Sequence, residues 1–182
     1  MKNTVIAISL MLLMFVPLAG GQSSTPKPAP ELKKWNIWVG DWSTTGTAKD
    51  TPTGPEYKVN WHTRCHWILD GFALQWDSTW KGNGVESRFL EIGFFDPIKK
   101  IHTISGFTND GTTWTGTVTF DGKTDQVETF TIILPNGEVS TCRNTWHFTT
   151  DGMAVSGTEQ CEQNGVSWIG FQGKGTKSKT AK

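Results

Sequence analysis

From Tyr57 onward the chain alternates. Tyr57, Val59, Trp61, Thr63, Cys65 and Trp67 interleave with Lys58, Asn60, His62, Arg64 and His66. Successive side chains of a strand point to opposite faces, so a period of two marks a strand with one buried face. The pattern recurs, broken each time by turn-forming residues. Leu69-Asp70-Gly71 leads to a strand from Phe72 to Trp80, Lys81-Gly82-Asn83-Gly84 to one from Val85 to Phe94, and Asp96-Pro97 to one from Lys100 to Phe107. Asn109-Asp110-Gly111 precedes Thr113 to Phe120, Asp121-Gly122 precedes Gln126 to Leu134, and Pro135-Asn136-Gly137 precedes Val139 to Phe148. Asp151-Gly152 turns into Met153 to Cys161, and Gln163-Asn164-Gly165 into Val166 to Phe171. With Trp42 to Ala48 ahead of them, these make ten strands. Short sequential turns and no long crossover predict an all-β, ten-stranded antiparallel up-and-down barrel rather than a Greek-key sandwich. Leu32, Trp35 and Trp38 or Val39 recur at helical spacing, so one short N-terminal helix is expected to plug an end of it.

The strongest local register comes from Asp151-Gly152. A two-residue turn there pairs Thr150 with Met153, Phe148 with Val155, Trp146 with Gly157 and Cys142 with Cys161. The two cysteines then lie opposite at a hydrogen-bonded pair, with Cα atoms roughly 5.5 Å apart, within reach of a disulfide. Cys65, on the inward pattern of its strand, is left as an inert buried thiol. The same register puts Cys142, Asn144, Trp146 and Phe148 on one face with Val155, Gly157, Glu159 and Cys161. That face carries the large apolar residues and should point inward. Asn144 and Glu159 form a facing polar pair within it. They either satisfy each other, sit at a wet barrel mouth, or anchor the polar end of a ligand.

The ends of the chain read differently. Lys2, the apolar run from Val5 to Val16, and Ala19-Gly20-Gly21 have the order of a signal peptide over residues 1–21, cleaved before Gln22. An uncleaved anchor is the alternative, while Gly21 stands where a lipoprotein would need cysteine. Residues 22–30 form a proline-rich leader too polar to order itself, residues 31–173 the barrel, and residues 174–182 a basic disordered tail. The expected location is periplasmic or secreted. Lysine plus arginine (17) balance aspartate plus glutamate (17), which leaves no basic footprint for nucleic acid. No further apolar segment is long enough for a membrane span.

Leu32 to Trp42 with its Gly40-Asp41-Trp42, the Leu69-Asp70-Gly71-Phe72 turn, Gly93-Phe94-Phe95-Asp96-Pro97 and the Asp151-Gly152 hairpin together resemble an uncharacterised bacterial domain-of-unknown-function family of exported, lipocalin-like proteins. The resemblance covers nearly all of residues 31–173 and implies a calycin-like barrel with no agreed activity. In true lipocalins the Gly-x-Trp tryptophan stacks on an arginine of a late strand. The last strand as read, Val166 to Phe171, has none, and Arg143 or Lys174 are the available substitutes. Gly40-Asp41-Trp42-Ser43-Thr44-Thr45-Gly46 is also similar to the opening motif of nitrobindins, barrels that bind haem through a histidine, although Thr44 replaces a glycine. The late histidine here, His147, falls on the solvent face, so no cofactor is expected.

Chemical constellations are sparse. His62 and His66 would lie about 13 Å apart on a strand, too far for one metal ion, and alternate with Arg64 on the outer face. No nucleophile elbow or phosphate-binding loop is present, so no catalytic or metal residue is assigned. The ten tryptophans fill a core or line a cavity, with Trp76 and Trp146 the best candidates for lining beside Asn144 and Glu159. The expectation is an exported, monomeric or dimeric barrel binding a small, largely apolar molecule. The alternatives are an isomerase or cyclase using Glu159 as acid-base group, or an envelope interaction module using the His62-Arg64-His66 face.

Overall fold

The computed structural model describes residues 26–178; the expected signal peptide and the start of the leader lie outside them. Ten strands follow one another: β1 (Gly40–Ala48), β2 (Tyr57–Ile68), β3 (Ala73–Gly82), β4 (Val85–Asp96), β5 (Ile101–Thr108), β6 (Thr113–Asp121), β7 (Asp125–Ile133), β8 (Val139–Phe148), β9 (Ala154–Gln163) and β10 (Val166–Lys177). Each pairs antiparallel with its neighbours in sequence, and β1 closes against β10. Closure satisfies every strand edge within the sheet. A fold of this kind needs only hairpins, which is why turn chemistry alone carried so much of the topology.

The plug is a 3-10 helix, Pro30–Ile37. Leu32, Trp35 and Trp38 recur at every third residue, the period at which 3-10 side chains eclipse, so all three face the barrel and are buried. The Trp35 ring lies in the hollow left by Gly93, where a Cβ would come 2.5 Å from it. Its ring meets Trp76 edge-on at 5.5 Å and His102 at 5.1 Å. Trp38 packs on Phe148 at 4.7 Å and Trp146 at 5.3 Å, and its indole N–H donates to Gln126 Oε1 at 2.8 Å. Trp42 donates to the Trp38 carbonyl at 2.6 Å. Such edge-on pairs add roughly 0.5–1.5 kcal/mol each to the area they bury, and together they close this end.

Two sequence expectations change. The tail was expected to begin after Gly173, but β10 runs on to Lys177, paired with β1 from Trp42↔Lys177 to Ala48↔Phe171. It carries no apolar side chain there because none fits: a Cβ on Gly175 would come 2.5 Å from Thr44 Oγ1 and 3.1 Å from Val155. The lysine-rich stretch is therefore strand as far as Lys177. The Lys177 ammonium sits 4.9 Å over the Trp42 ring and donates to the Ile37 carbonyl at 2.6 Å. The cation over Trp42 is thus Lys177, whereas Arg143 and Lys174 are both exposed.

The β8–β9 register is as read, with Cys142 opposite Cys161 and the two joined as a disulfide. Its hydrogen-bond phase is not. Thr149 N–H donates to the Ala154 carbonyl at 2.9 Å, closing the hairpin one step further from its tip than Thr150–Met153. Every later pair changes type, so the cysteines occupy a non-hydrogen-bonded site with Cα atoms 4.0 Å apart. Cys65 is a buried free thiol, its pKa raised mainly by burial. No helix among the described residues is long and apolar enough to cross a membrane.

Candidate ligand site

Beyond the plug the barrel is hollow, with a cavity of about 520 Å3. Its floor is aromatic, formed by Trp38, Trp42, Trp76 and Trp146. Toward the open end, Trp61, Trp80 and Phe171 form a triangle with ring centroids 5.7–5.8 Å apart. Inward glycines make room for the largest rings. Trp114 lies over its cross-strand partner Gly106, and Trp146 over Gly157, where a Cβ would stand 2.1 and 2.2 Å from the indoles. Between the rings of β2 and β3, Thr63 and Ser78 are bonded at 2.9 Å across the two strands.

All four expected binding residues, Trp76, Trp146, Asn144 and Glu159, lie on the cavity wall. Asn144 and Glu159 face each other across β8 and β9, but of the alternatives for the pair the mutual hydrogen bond does not form. Asn144 favours the charged form of Glu128 on the other neighbouring strand, and its Oδ1 is buried without a partner. Glu159 receives no N–H or O–H donor among the described residues. The disulfide sulfur of Cys161 lies 3.4 Å from its Oε1.

Two carboxylates on this wall escaped the sequence reading. Glu128 stands opposite Asn144 across β7 and β8. Gln126 Nε2 donates to it at 2.6 Å, extending the relay that begins at Trp38. Glu91 stands opposite Trp76 and accepts from the Trp114 indole at 2.5 Å. Both were legible in principle. The Pro135-Asn136-Gly137 turn fixes the β7–β8 register as Asp151-Gly152 fixes the next, and Glu91 shares the inward parity of Phe89 and Gly93.

Burial dominates the electrostatics of this wall. It raises all three glutamates, pushing Glu159 up to about 7, with the Glu128 charge adding to the effect. Glu91 is raised by burial and then by the Glu128 charge, against the Trp114 hydrogen bond. Glu128 is also raised by burial, offset in part by Trp146, Gln126 and Asn144. The four ion pairs among the described residues join surface groups, leaving these carboxylates without an internal cation. Around the mouth stand Lys49, Asp50, Tyr57 and Asp110, with Tyr57 donating to Asp50 and Thr108 to Asp110.

Cys142, Glu159 and Cys161 bring potential ligand atoms within 4.8 Å. Both sulfurs are spent in the disulfide, so that grouping offers a metal only one carboxylate. His147 is outside, 2.8 Å from Asp125. The inward histidine is His102, which belongs to the plug: its ring contacts the Glu31 carbonyl at 3.1 Å, and burial lowers its pKa. His62 and Arg64 are exposed on the outer wall, with His66 half-buried 3.6 Å from Asp77.

No protein-family model matches the sequence, and no curated protein matches it. Among solved structures, the fold is similar to an S-type phycobiliprotein lyase from Guillardia theta, at a TM-score of 0.53 and 8% sequence identity, over 82% of this chain and 93% of that one. The likeness is one of fold.

Proposed function

We propose that this chain is an exported, calycin-like barrel that takes a small molecule with a largely apolar body into its lumen. The observation that carries this reading is the 520 Å3 cavity, closed by the tryptophan plug and open opposite it. Ligand pockets start near 300 Å3 and join apolar walls to a few placed polar groups. The disulfide suits an oxidising compartment, and the bacterial lipocalin-like group remains the family proposed. Native mass spectrometry of protein purified from its own host tests the reading, together with titration of the neutral fluorophore N-phenyl-1-naphthylamine. A copurifying molecule that the fluorophore displaces is the expected result. A mass equal to the bare chain, with no fluorophore bound, would overturn it.

A second reading is favoured by Glu159 itself. A carboxyl held near 7 at the wall of a largely apolar cavity is suited to proton transfer at neutral pH. An isomerase or cyclase of this design would lose turnover in Glu159→Gln while still binding its substrate.

A further inference from the structure

The polar atoms on the cavity wall are unbalanced. Glu91, Glu128, Glu159 and Asn144 Oδ1 all offer oxygen. Trp114 donates to the first and Gln126 to the second, whose charged form Trp146 and Asn144 also favour. Among the described residues no N–H or O–H donates to Glu159, and Asn144 Oδ1 has no partner although Asn144 is 5% exposed. Buried acceptors left open in this way cost free energy unless something donates to them. The lining holds no arginine or histidine among the described residues, and its one lysine, Lys49, is at the mouth. Resting on the lumen as a ligand site, we infer that the ligand carries an N–H-bearing cation, an ammonium, amidinium or guanidinium group, seated between Glu159, Glu128 and Asn144 Oδ1. Its apolar body lies against Trp61, Trp80 and Phe171, and aromatic faces themselves attract cations.

The acceptor arrangement selects N–H over bare charge. A quaternary ammonium would satisfy the carboxylates electrostatically but bring no donor to Asn144 Oδ1. Binding also moves protons. At neutral pH the empty site holds carboxyl protons, and a cation entering it displaces them to the buffer. The groups involved are Glu91, Glu128 and Glu159 on the wall, with Lys49, Asp50, Tyr57 and Asp110 around the entrance. Affinity for an amine that stays protonated over this range should therefore rise with pH as the wall ionises.

Isothermal titration of the intact, oxidised chain with naphthylethylamine, naphthylethanol and naphthylacetate holds the apolar body constant and varies the head. The amine should bind roughly 10- to 100-fold more tightly than the alcohol, and the carboxylate most weakly. The amine's enthalpy should depend on the buffer's ionisation enthalpy, showing proton release, and its affinity should fall on acidification. Its N-trimethyl analogue should bind less tightly than the amine; equal affinity would overturn the N–H assignment. In Glu159→Gln, checked for fold by near-UV circular dichroism, the amine should lose its advantage over the alcohol. If that variant does not fold, the pH series on the unaltered chain decides. Alcohol or carboxylate binding as well as the amine would overturn the cation while leaving the lumen reading intact. No binding by any probe would remove the lumen reading, and this one with it.

Discussion

Replacing Glu159 by glutamine should stabilise the ligand-free protein at alkaline pH and change it little at acidic pH. The residue lies on β9 with its carboxylate in the cavity wall, without a hydrogen-bond donor and within reach of the Glu128 charge. Burial therefore favours the neutral acid, and the folded-state pKa rises from 4.5 to about 7. Because the raised pKa means that the folded chain holds the proton more tightly, this contribution is fully present below about 4.5. It is lost as pH rises through about 7. At about 1.4 kcal/mol per pH unit, the rise corresponds to about 3 kcal/mol. Glutamine keeps the size of the side chain and cannot ionise. Urea unfolding of both proteins without reductant, at about pH 5 and about pH 8.5, measures the effect. The unaltered chain should lose stability between the two, and the variant should exceed it by about 3 kcal/mol only at the higher pH. An equal difference at both, or an unaltered chain that is more stable at alkaline pH, would refute the assigned burial of this carboxylate.

Gly157→Ala should force Trp146 off its hollow, since the new Cβ would stand 2.2 Å from the ring; a loss of about 1–3 kcal/mol with an altered near-UV spectrum is expected in chemical unfolding. Removing the disulfide as Cys142→Ser with Cys161→Ser should cost about 3 kcal/mol in the same assay, and mass spectrometry of non-reduced digests should link those two residues and never Cys65. Lys177→Met breaks the contacts to Trp42 and the Ile37 carbonyl, and should cost about 1–2 kcal/mol, with amide exchange rising first in the plug. Cys65, buried with its thiol pKa raised, should react with iodoacetamide only on unfolding.

Much of the barrel was legible because each hairpin is local. Turn residues set the register, and alternation set the face, so Cys142 opposite Cys161 and Asn144 opposite Glu159 followed from counting along two strands. The finer geometry was not local. Whether Thr149 or Thr150 closes the turn decides the hydrogen-bond phase, and side-chain pattern is blind to that choice. The end of β10 was missed for a related reason. Residues 174–177 read as a basic tail with no apolar side chain at Gly175, yet close approach to β1 and β9 demands that absence.

Ten strands, their antiparallel order, the tryptophan plug and the inward face bearing Asn144 and Glu159 were readable from the residue pattern, since each depends on periodicity and turn chemistry within one or two elements. The closed barrel was needed to show that the interior stays hollow, that Lys177 returns to cover Trp42, and that Glu91 and Glu128 line the cavity with Glu159. The physical reason is that β4, β7 and β9 meet only when the sheet curls shut. A carboxylate acquires a raised pKa and an unmet need for a donor from neighbours far away in sequence, and the pattern on its own strand holds no record of them.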